Sequence, residues 1–366
     1  MLKAVDRLIL KELLPPFFFA FFAFVILIVG AALLKPLLAF LIKYNLGGLA
    51  FLKLLLLALP EWVVYTFPMA MLTGTLLAVG RLSGDSEIVA LRTAGISLYR
   101  ITWPIMFFAL VLSLVTFTIS ELVAPVTNHQ FDLSKQRIIE QKSGQMHETK
   151  VSLSFYQSGY LAYQLQAEEL KGDTLSNLHL FHFQQNSGKC DWYLTAANAR
   201  WTGESWSFHY GTLYNFLAGG TVTTTTFTRW DLPEFALSPS TIAERSKDPS
   251  ELSASELSRI IRYQREAGLS EDYIRRFEVD YFFKFSIPFS PLFFVLIGVP
   301  LAILPQRTST SMGMGFSLLI VLGYFFLFTI SSQMGRGSIV PPLLAAWIPN
   351  LALLMVGLVL LKVKDR

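Results

Sequence analysis

The sequence predicts an α-helical membrane protein with six membrane-spanning helices and one large β-rich domain inserted between the third and the fourth. Three observations favour this fold class. Hydrophobic residues make up 53% of the 366 and charged residues only 15%, fewer than the roughly one quarter found in soluble domains. Six apolar stretches are long enough to cross a bilayer, and the segment between the third and the fourth has the alternating pattern of β-strands.

Each of the six stretches holds about 20 residues, the length that a helix needs to cross a hydrocarbon core of about 30 Å. No small-residue cleavage pattern follows the first stretch, so we expect an uncleaved anchor and not a signal peptide. The predicted spans are Leu13–Leu34, Leu54–Val79, Ile101–Val123, Phe282–Leu304, Met312–Ser332 and Leu343–Leu361.

Basic residues in the short loops predict the orientation, because cytoplasmic loops carry an excess of Lys and Arg. With six spans, the residues that fall on one side are Lys3, Arg7, Lys11, Arg81, Arg92, Arg100, Arg307, Lys362, Lys364 and Arg366. We expect this side, with both termini, to be cytoplasmic. The long stretch from about Ala124 to Glu278 then lies on the opposite side, since long domains cross largely regardless of their charge.

The inserted region reads as antiparallel strands. Alternating runs occur at Val151–Tyr156, Tyr160–Gln166, Leu178–Phe183, Trp192–Ala196 and Thr221–Thr228, and short polar turns containing Gly separate several of them. This spacing is typical of a sandwich or a jelly roll.

The helical pattern returns after the strands, where Ser253 and Glu256 have the spacing of a capping box. The predicted organisation is residues 1–124 for helices one to three, 125–248 for the β-domain, 249–279 for connecting helices and 280–366 for helices four to six. A short cytoplasmic helix is predicted near residues 82–95.

Motifs for catalysis are missing from the sequence, so we do not expect an enzyme. It contains no phosphate-binding loop, nucleophile elbow or zincin motif. The single cysteine, Cys190, can form neither an internal disulfide nor a cysteine-based metal site. The net charge of +4 is small and the basic residues that matter lie at membrane edges, which argues against a nucleic-acid partner.

Ionisable residues near the ends of the spans are the first candidate site. Lys35 follows a long apolar run, and Lys43 lies two helical turns further, about 12 Å along the axis and within about 80° of the same face. The two lysines either reach the interface like ordinary helix-end residues or meet anionic lipid phosphates. Glu61 and the Asp280/Lys284 pair are weaker candidates, and a local ion pair explains the latter about as well as a function does.

The second candidate site is the segment from Arg81 to Ser97. Ser83 or Asp85 is predicted to cap a short helix that Gly95 ends. We expect its apolar residues Ile88, Val89 and Leu91 to face one way, while Glu87 and Arg92 reach outward. Such a helix either lies on the membrane surface or docks a cytosolic partner.

Three parts of the sequence carry a resemblance to a known family. They are Gly80–Gly95, Pro60–Glu61 with Pro68, and Phe277–Pro300 with its Lys284 and Pro288. Together with the order of parts along nearly the whole chain, they resemble the lipopolysaccharide export permease family (LptF/LptG), the paired transmembrane subunits of the Lpt ABC transporter.

The resemblance implies a periplasmic β-jellyroll and a bacterial inner-membrane location. It also implies that two such subunits, in a hetero- or homodimer, form a V-shaped cavity that lipopolysaccharide enters sideways. Apolar walls of the first and fifth helices then squeeze the lipid upward. The Phe-rich faces Phe17–Phe24 and Phe325–Phe328, with Phe22 and Phe325, either line the cavity or simply face lipid and pack within the bundle. By the same resemblance, Lys35 and Lys43 contact the lipid phosphates.

The short helix after the second span corresponds in this family to a coupling helix that inserts into a cytosolic nucleotide-binding ATPase subunit. The resemblance therefore assigns ATPase coupling to Asp85, Glu87 and Arg92. ATP is bound and hydrolysed by that partner, so we expect no cofactor bound directly to this chain. A periplasmic jellyroll bridge protein is expected to receive the lipid at an exposed strand edge.

Two other classes of function stay open from the residues alone. A secondary transporter would use proline-broken helices around a midplane site, but the sequence has no internal repeat. A membrane-anchored scaffold would bind a periplasmic ligand on its β-domain, but the cytoplasmic side is too small to carry a signalling domain.

Overall fold

The fold is described here from a computed structural model of the chain. It describes residues 2–143, 151–157, 160–184, 189–217, 221–233, 235, 237–239, 242, 251–266, 271–303 and 310–365. The chain divides into a helical unit, formed by Met1–Lys135 and Glu278–Arg366, and a second unit formed by Gln136–Phe277. Arg307 and Arg366, which contribute to the predicted orientation, lie outside the described residues.

Within the described residues, six helical stretches are long and apolar enough to span a membrane, which confirms the predicted number. They are Ala4–Tyr44, Gly48–Gly84, Leu98–Ile139, Ile274–Ala302, Gly315–Arg336 and Pro342–Asp365. The α-helices are α1 (Leu2–Ile28), α2 (Lys35–Tyr44), α3 (Gly48–Gly84), α4 (Glu87–Thr93), α5 (Leu98–Thr118), α6 (Ala124–Ser143), α7 (Ala254–Glu266), α8 (Glu271–Ala302), α9 (Thr310–Arg336) and α10 (Pro342–Asp365).

The first and third spans each contain a short π-helical segment, Val29–Leu34 and Ile119–Val123. Each segment ends two residues before a proline, Pro36 in one case and Pro125 in the other. A proline has no N–H to donate, and its ring clashes with the carbonyl four residues earlier, so the α-helical ladder cannot continue unchanged. The wider π turn accommodates the proline, and the helix continues beyond it.

Helices α1, α3 and α5 meet at Phe17. The backbone of Phe17 lies so close to Gly74 of α3 that a Cβ on this glycine would be 2.9 Å from the Phe17 Cα. The Phe17 ring also contacts the Phe108 ring of α5 edge to face, with centroids 5.2 Å apart. A glycine in α3 is therefore required for α1 to pack at this distance.

Helices α8, α9 and α10 are joined by buried polar side chains. The Nδ2 of Asn350 in α10 donates to the Ser286 carbonyl oxygen at 2.8 Å and to its Oγ at 2.9 Å, and Ser286 belongs to α8. The hydroxyl of Tyr324 in α9 donates to Asn350 Oδ1 at 3.2 Å. Because lipid offers no hydrogen bonds, such groups must find partners within the protein, and here they connect three helices.

The described part of the inserted unit contains one antiparallel sheet of six strands, each paired with the next in sequence order. The strands are β1 (Val151–Gln157), β2 (Tyr160–Lys171), β3 (Thr174–Phe183), β4 (Cys190–Trp201), β5 (Trp206–Phe216) and β6 (Val222–Leu232). Gly172 and Gly203 have φ angles of 55° and 103° at the β2–β3 and β4–β5 turns, where the sequence predicts turns.

The two faces of this sheet differ in burial. Leu165, Leu180, Leu194 and Leu213 are in register across four strands and form the centre of a buried core. An antiparallel sheet with one buried face, inserted between the spans, is consistent with a jellyroll-like domain, and the predicted fold class is confirmed.

The predicted capping box is present at the start of α7. The Glu256 N–H donates to Ser253 Oγ at 3.2 Å, and the Ser253 N–H donates to Glu256 Oε2 at 2.8 Å. These reciprocal bonds satisfy two backbone donors that a helix start otherwise leaves without a partner.

Candidate functional site

The short helix α4 lies between the second and third spans, as the sequence predicts. Its start differs from the prediction, because Ser83 belongs to α3 and the Asp85 N–H closes that helix by donating to Arg81 O at 2.9 Å. The residue before α4, Ser86, has a φ angle of 60° and provides no side-chain cap. The end of α4 is as predicted, because Gly95 has a φ angle of 84° and its N–H donates to Arg92 O at 2.9 Å.

The faces of α4 are only partly as predicted. Ile88 is 1% exposed and packs in the core of the helical unit, whereas Val89 is 52% exposed and does not share its face. Glu87 is half-buried in the first turn, and Asp85 is exposed before it. The outward surface of α4, defined here as Asp85 just before the helix, the half-buried Glu87 and Val89, therefore combines acidic and apolar side chains and is open to solvent.

Arg92 does not reach outward as predicted. Its Nη2 donates to the main-chain oxygen of Asp365 at 3.0 Å, so the guanidinium binds the end of the last span. The carboxylate of Asp365 accepts a hydrogen bond from the Leu98 N–H at 2.8 Å. The last turn of α4 and the first of α5 are both held by α10.

Two further ion pairs connect the start of the first span to the same region. Arg100 of α5 places Nη1 and Nη2 at 2.6 and 2.8 Å from the two carboxylate oxygens of Asp6. Arg81 of α3 lies 3.1 Å from Glu12. Basic residues that predict the cytoplasmic side thus also tie α1 to α3 and α5.

An exposed stripe follows the first span toward the two predicted lysines. Phe22 is 59% exposed, Ile26 continues the stripe one turn later, and Phe17 on the opposite side is buried. Lys35 and Lys43 are both exposed on α2, and Lys43 Nζ lies 5.1 Å from the centroid of the Tyr44 ring. The structure thus provides an apolar surface that ends in two cations.

Phe325 is less accessible than a cavity-lining residue would be. Its ring is half-buried in the core of the helical unit, 6.5 Å from the Tyr65 ring of α3 and 5.5 Å from the Tyr324 ring. The neighbouring Phe326 is 67% exposed and shares its face with Leu319 and Leu322. Phe326 lies within the predicted Phe-rich stretch Phe325–Phe328, and its helical spacing with Leu319 and Leu322 places it on the exposed side of α9.

Helix α3 lies between the first and the fifth spans. Phe21 of α1 stacks on Phe67 of α3 with ring centroids 5.0 Å apart, and Phe325 of α9 contacts Tyr65. The exposed stripes of α1 and α9 therefore flank one central helix.

The ionisable residues at the far end of the spans are paired between helices. Glu61 lies about 34 Å along α3 from Gly84, beyond a hydrocarbon core of about 30 Å. Asp280 of α8 lies 2.6 Å from Arg336 of α9, so Asp280 takes part in a bond between two helices in addition to its position one turn before Lys284. Among the described residues, no group of three or more His, Cys, Asp or Glu could hold a metal ion.

These features define a multi-pass membrane protein that carries an inserted antiparallel sheet and a short helix held between its second and third spans. The family described as lipopolysaccharide export system permease LptF/LptG matches residues 7–363, and the chain belongs to this family. The predicted resemblance is thereby confirmed, and the chain is a permease component and a multi-pass inner-membrane protein.

Curated relatives agree with this assignment. The chain is 25% identical to the lipopolysaccharide export system permease protein LptG of Escherichia coli K12 over 316 residues, 85% of this chain and 84% of the relative. It is also 25% identical to LptG of Haemophilus influenzae over 303 residues, 81% of this chain and 80% of the relative.

Proposed function

We propose that this chain is the transmembrane permease subunit of an ABC transporter that extracts lipopolysaccharide from the outer leaflet of the inner membrane. It then passes the lipid to a periplasmic β-jellyroll bridge protein. Family membership supports the substrate and the role as a permease. The observation that carries the proposal is the exposed apolar stripe ending in Lys35 and Lys43, together with the short helix α4, whose outward surface is exposed at the other end of the spans.

The source of energy is proposed to be a cytosolic nucleotide-binding ATPase subunit that binds the outward surface of α4. Asp85, Glu87 and Val89 supply this surface, while Arg92 positions it from behind. A second permease subunit of the same family completes the lipid path, with both termini in the cytoplasm and the sheet in the periplasm.

The lipid path is proposed to follow the first span. Acyl chains contact the face of Phe22 and Ile26, and the phosphates meet Lys35 and Lys43. Lys35 lies about 36 Å along the first span from Lys11, so Lys11 and Lys35 lie at opposite edges of the hydrocarbon core. Facing lipid phosphates at the outer edge is electrostatically favourable for a cation.

Copurification tests the partner. The tagged chain, purified from its own cells, is expected to bring down a nucleotide-binding subunit, and Glu87→Lys is expected to reduce the amount about tenfold or more, because a like or reversed charge in an interface costs several kcal/mol. Glu204→Lys, an equal charge reversal in the exposed β4–β5 turn, is the control and should leave the amount unchanged. Absence of any ATPase from the unmodified preparation would contradict the proposal.

Photo-crosslinking tests the substrate. A crosslinking residue at Phe22 or Lys35 should capture lipopolysaccharide in cells, whereas one at Val115, an exposed apolar position on α5, should capture mainly phospholipid. Capture of phospholipid alone at all three positions would rule out lipopolysaccharide as the lipid on this stripe.

A further inference from the structure

The last turn of α10 contacts three other elements of the helical unit. Asp365 accepts a hydrogen bond from Leu98 N–H on its Oδ1, at 2.8 Å, and another from Arg92 Nη2 on its main-chain oxygen, at 3.0 Å. The preceding residue, Lys364, donates from Nζ to the Ile303 carbonyl at 3.0 Å, just beyond the end of α8. Two consecutive residues of α10 thus hold the ends of α4, α5 and α8.

The bond to Leu98 satisfies a group that the helix itself leaves unpaired. The first N–H groups of a helix have no partner within it, and a carboxylate near them is also favoured by the helix dipole. Ser97 Oγ accepts the Arg100 N–H at 3.3 Å, and Asp365 takes the Leu98 N–H. Leu98 is fully buried, so this junction is a packed part of the helical unit and not a surface contact.

Arg92 at the end of α4 uses its backbone and its side chain for two different contacts. Its backbone helps to end α4 through the Gly95 N–H, and its guanidinium binds Asp365. The outward surface of α4, at Asp85 and Val89, is left open. One side of α4 is thus available to a partner while the other is bonded to the last span.

We propose that Asp365 is a positioning residue that makes the last span move together with α4. This inference rests on the proposed function, in which a nucleotide-binding partner displaces α4. The peptide chain alone connects α4 only to the second and third spans. The two bonds to Asp365 also connect α4 and the start of α5 to the sixth span, and the bond from Lys364 connects the sixth span to the end of the fourth. Both halves of the helical unit therefore move with the nucleotide-binding partner.

Spin labels measure this coupling directly. Labels at Ala94→Cys and Val363→Cys, both exposed positions, are introduced in a Cys190→Ser background and studied in the complex with the copurified ATPase subunit. The expected distance distribution is narrow and the same without nucleotide and with bound ATP. Asp365→Ala removes the bond to Leu98 but leaves the main-chain oxygen that accepts from Arg92. The double variant Arg92→Ala/Asp365→Ala removes both bonds and should broaden the distribution and make it depend on nucleotide, because losing a hydrogen bond to a charged group raises the untethered population about tenfold.

Two further variants separate positioning from a general loss of structure. Asp365→Asn keeps an acceptor oxygen for Leu98 and should retain the narrow distribution, and Lys362→Ala, exposed on the same turn, should behave as the unmodified chain. In proteoliposomes containing lipopolysaccharide, Asp365→Ala should release less lipid for each ATP hydrolysed while the ATPase subunit still copurifies.

The outcomes that overturn the inference are distinct from those that overturn the proposed function. A nucleotide-dependent distance in the unmodified complex, or an Arg92→Ala/Asp365→Ala variant identical to it, would show that these bonds do not couple α10 to α4. Failure of any ATPase to copurify with the unmodified chain would instead contradict the proposed function.

Discussion

Cys190 occupies the first position of β4, where its thiol is half-buried and donates to the Trp192 carbonyl at 3.2 Å. Burial, followed by the negative charge of Asp191, raises the pKa of the Cys190 thiol. Since the thiolate is the reactive form, a raised pKa leaves less of it at neutral pH. The residue is therefore a poorly reactive thiol despite its partial exposure.

Alkylation of Cys190 should accordingly be slow at neutral pH. Its rate should increase only at a higher pH than the rate for an ordinary surface cysteine does. The comparison is Ala197→Cys in a Cys190→Ser background, which places a thiol at an exposed position of the same strand. The rate of reaction with a maleimide or an iodoacetamide, measured against pH, gives the two midpoints. Equal midpoints would mean that burial does not control this thiol.

Single residues also show where sequence reasoning reaches its limit. The composition and spacing of Gly95, Ser253 and Glu256 predict their local roles, because helix ends and capping boxes depend on neighbours within a few positions. The partner of Arg92 is 273 positions away, at Asp365, and no local pattern indicates it. Asp280 likewise accepts a hydrogen bond from Arg336, 56 positions away on another helix.

Among the elements, the three helices of the carboxyl-terminal half offer a defined energetic test. Asn350 is completely buried, accepts from the Tyr324 hydroxyl and donates to Ser286, so each bond joins two different helices. Hydrogen bonds between helices in a membrane contribute about 0.6 kcal/mol on average and up to about 1.7 kcal/mol.

Asn350→Leu and Tyr324→Phe should therefore each lower the stability of the purified protein, and their effects should not add. The double variant is expected to lose about 0.5 to 1.5 kcal/mol less than the sum of the two single losses. Reversible unfolding in detergent measures this cycle. Additive losses would show that the Tyr324–Asn350 bond contributes nothing, and Thr329→Val, at an exposed residue of α9, serves as the control.

Most elements follow from pattern alone, and the exceptions have physical reasons. The apolar windows identify six spans, but they end the first at Leu34 although the helix continues to Tyr44, because the added turns are more polar. Strand β5 is missing from the predicted runs. Its alternation is interrupted at Tyr210, whose φ angle of 55° is left-handed, and at Gly211, which leaves space for the Phe227 ring.

For the whole molecule, the order of parts is predicted correctly: three spans, an inserted sheet and three more spans. Periodicity and hydropathy suffice for this, since a span and a strand differ in repeat and in length. The roles of the candidate site residues stay predictions. Lys35, Lys43 and Phe22 are exposed, whereas Phe325 is half-buried and Arg92 points inward, because burial depends on which helices pack together.

The orientation of the molecule can be measured with the same engineered cysteines. In a Cys190→Ser background, Ala197→Cys on the sheet should react with a membrane-impermeant maleimide once the outer membrane is opened. Ala94→Cys beside α4 should react only after the inner membrane is also permeabilised, because basic loop residues favour the cytoplasm. Labelling in the reverse order would place the sheet in the cytosol and exclude the proposed lipid path.

The wide turns ahead of Pro36 and Pro125 have a mechanical consequence for this assembly. Each holds more backbone per turn than an α-helix does, and each lies in a span whose inner part is packed against α3 or α1. Gaining or losing one residue in such a turn changes the direction of every side chain beyond it by about 100°. Lys35 and Lys43 lie beyond the first turn, so a small local rearrangement there would redirect both ammonium groups without separating the helices below.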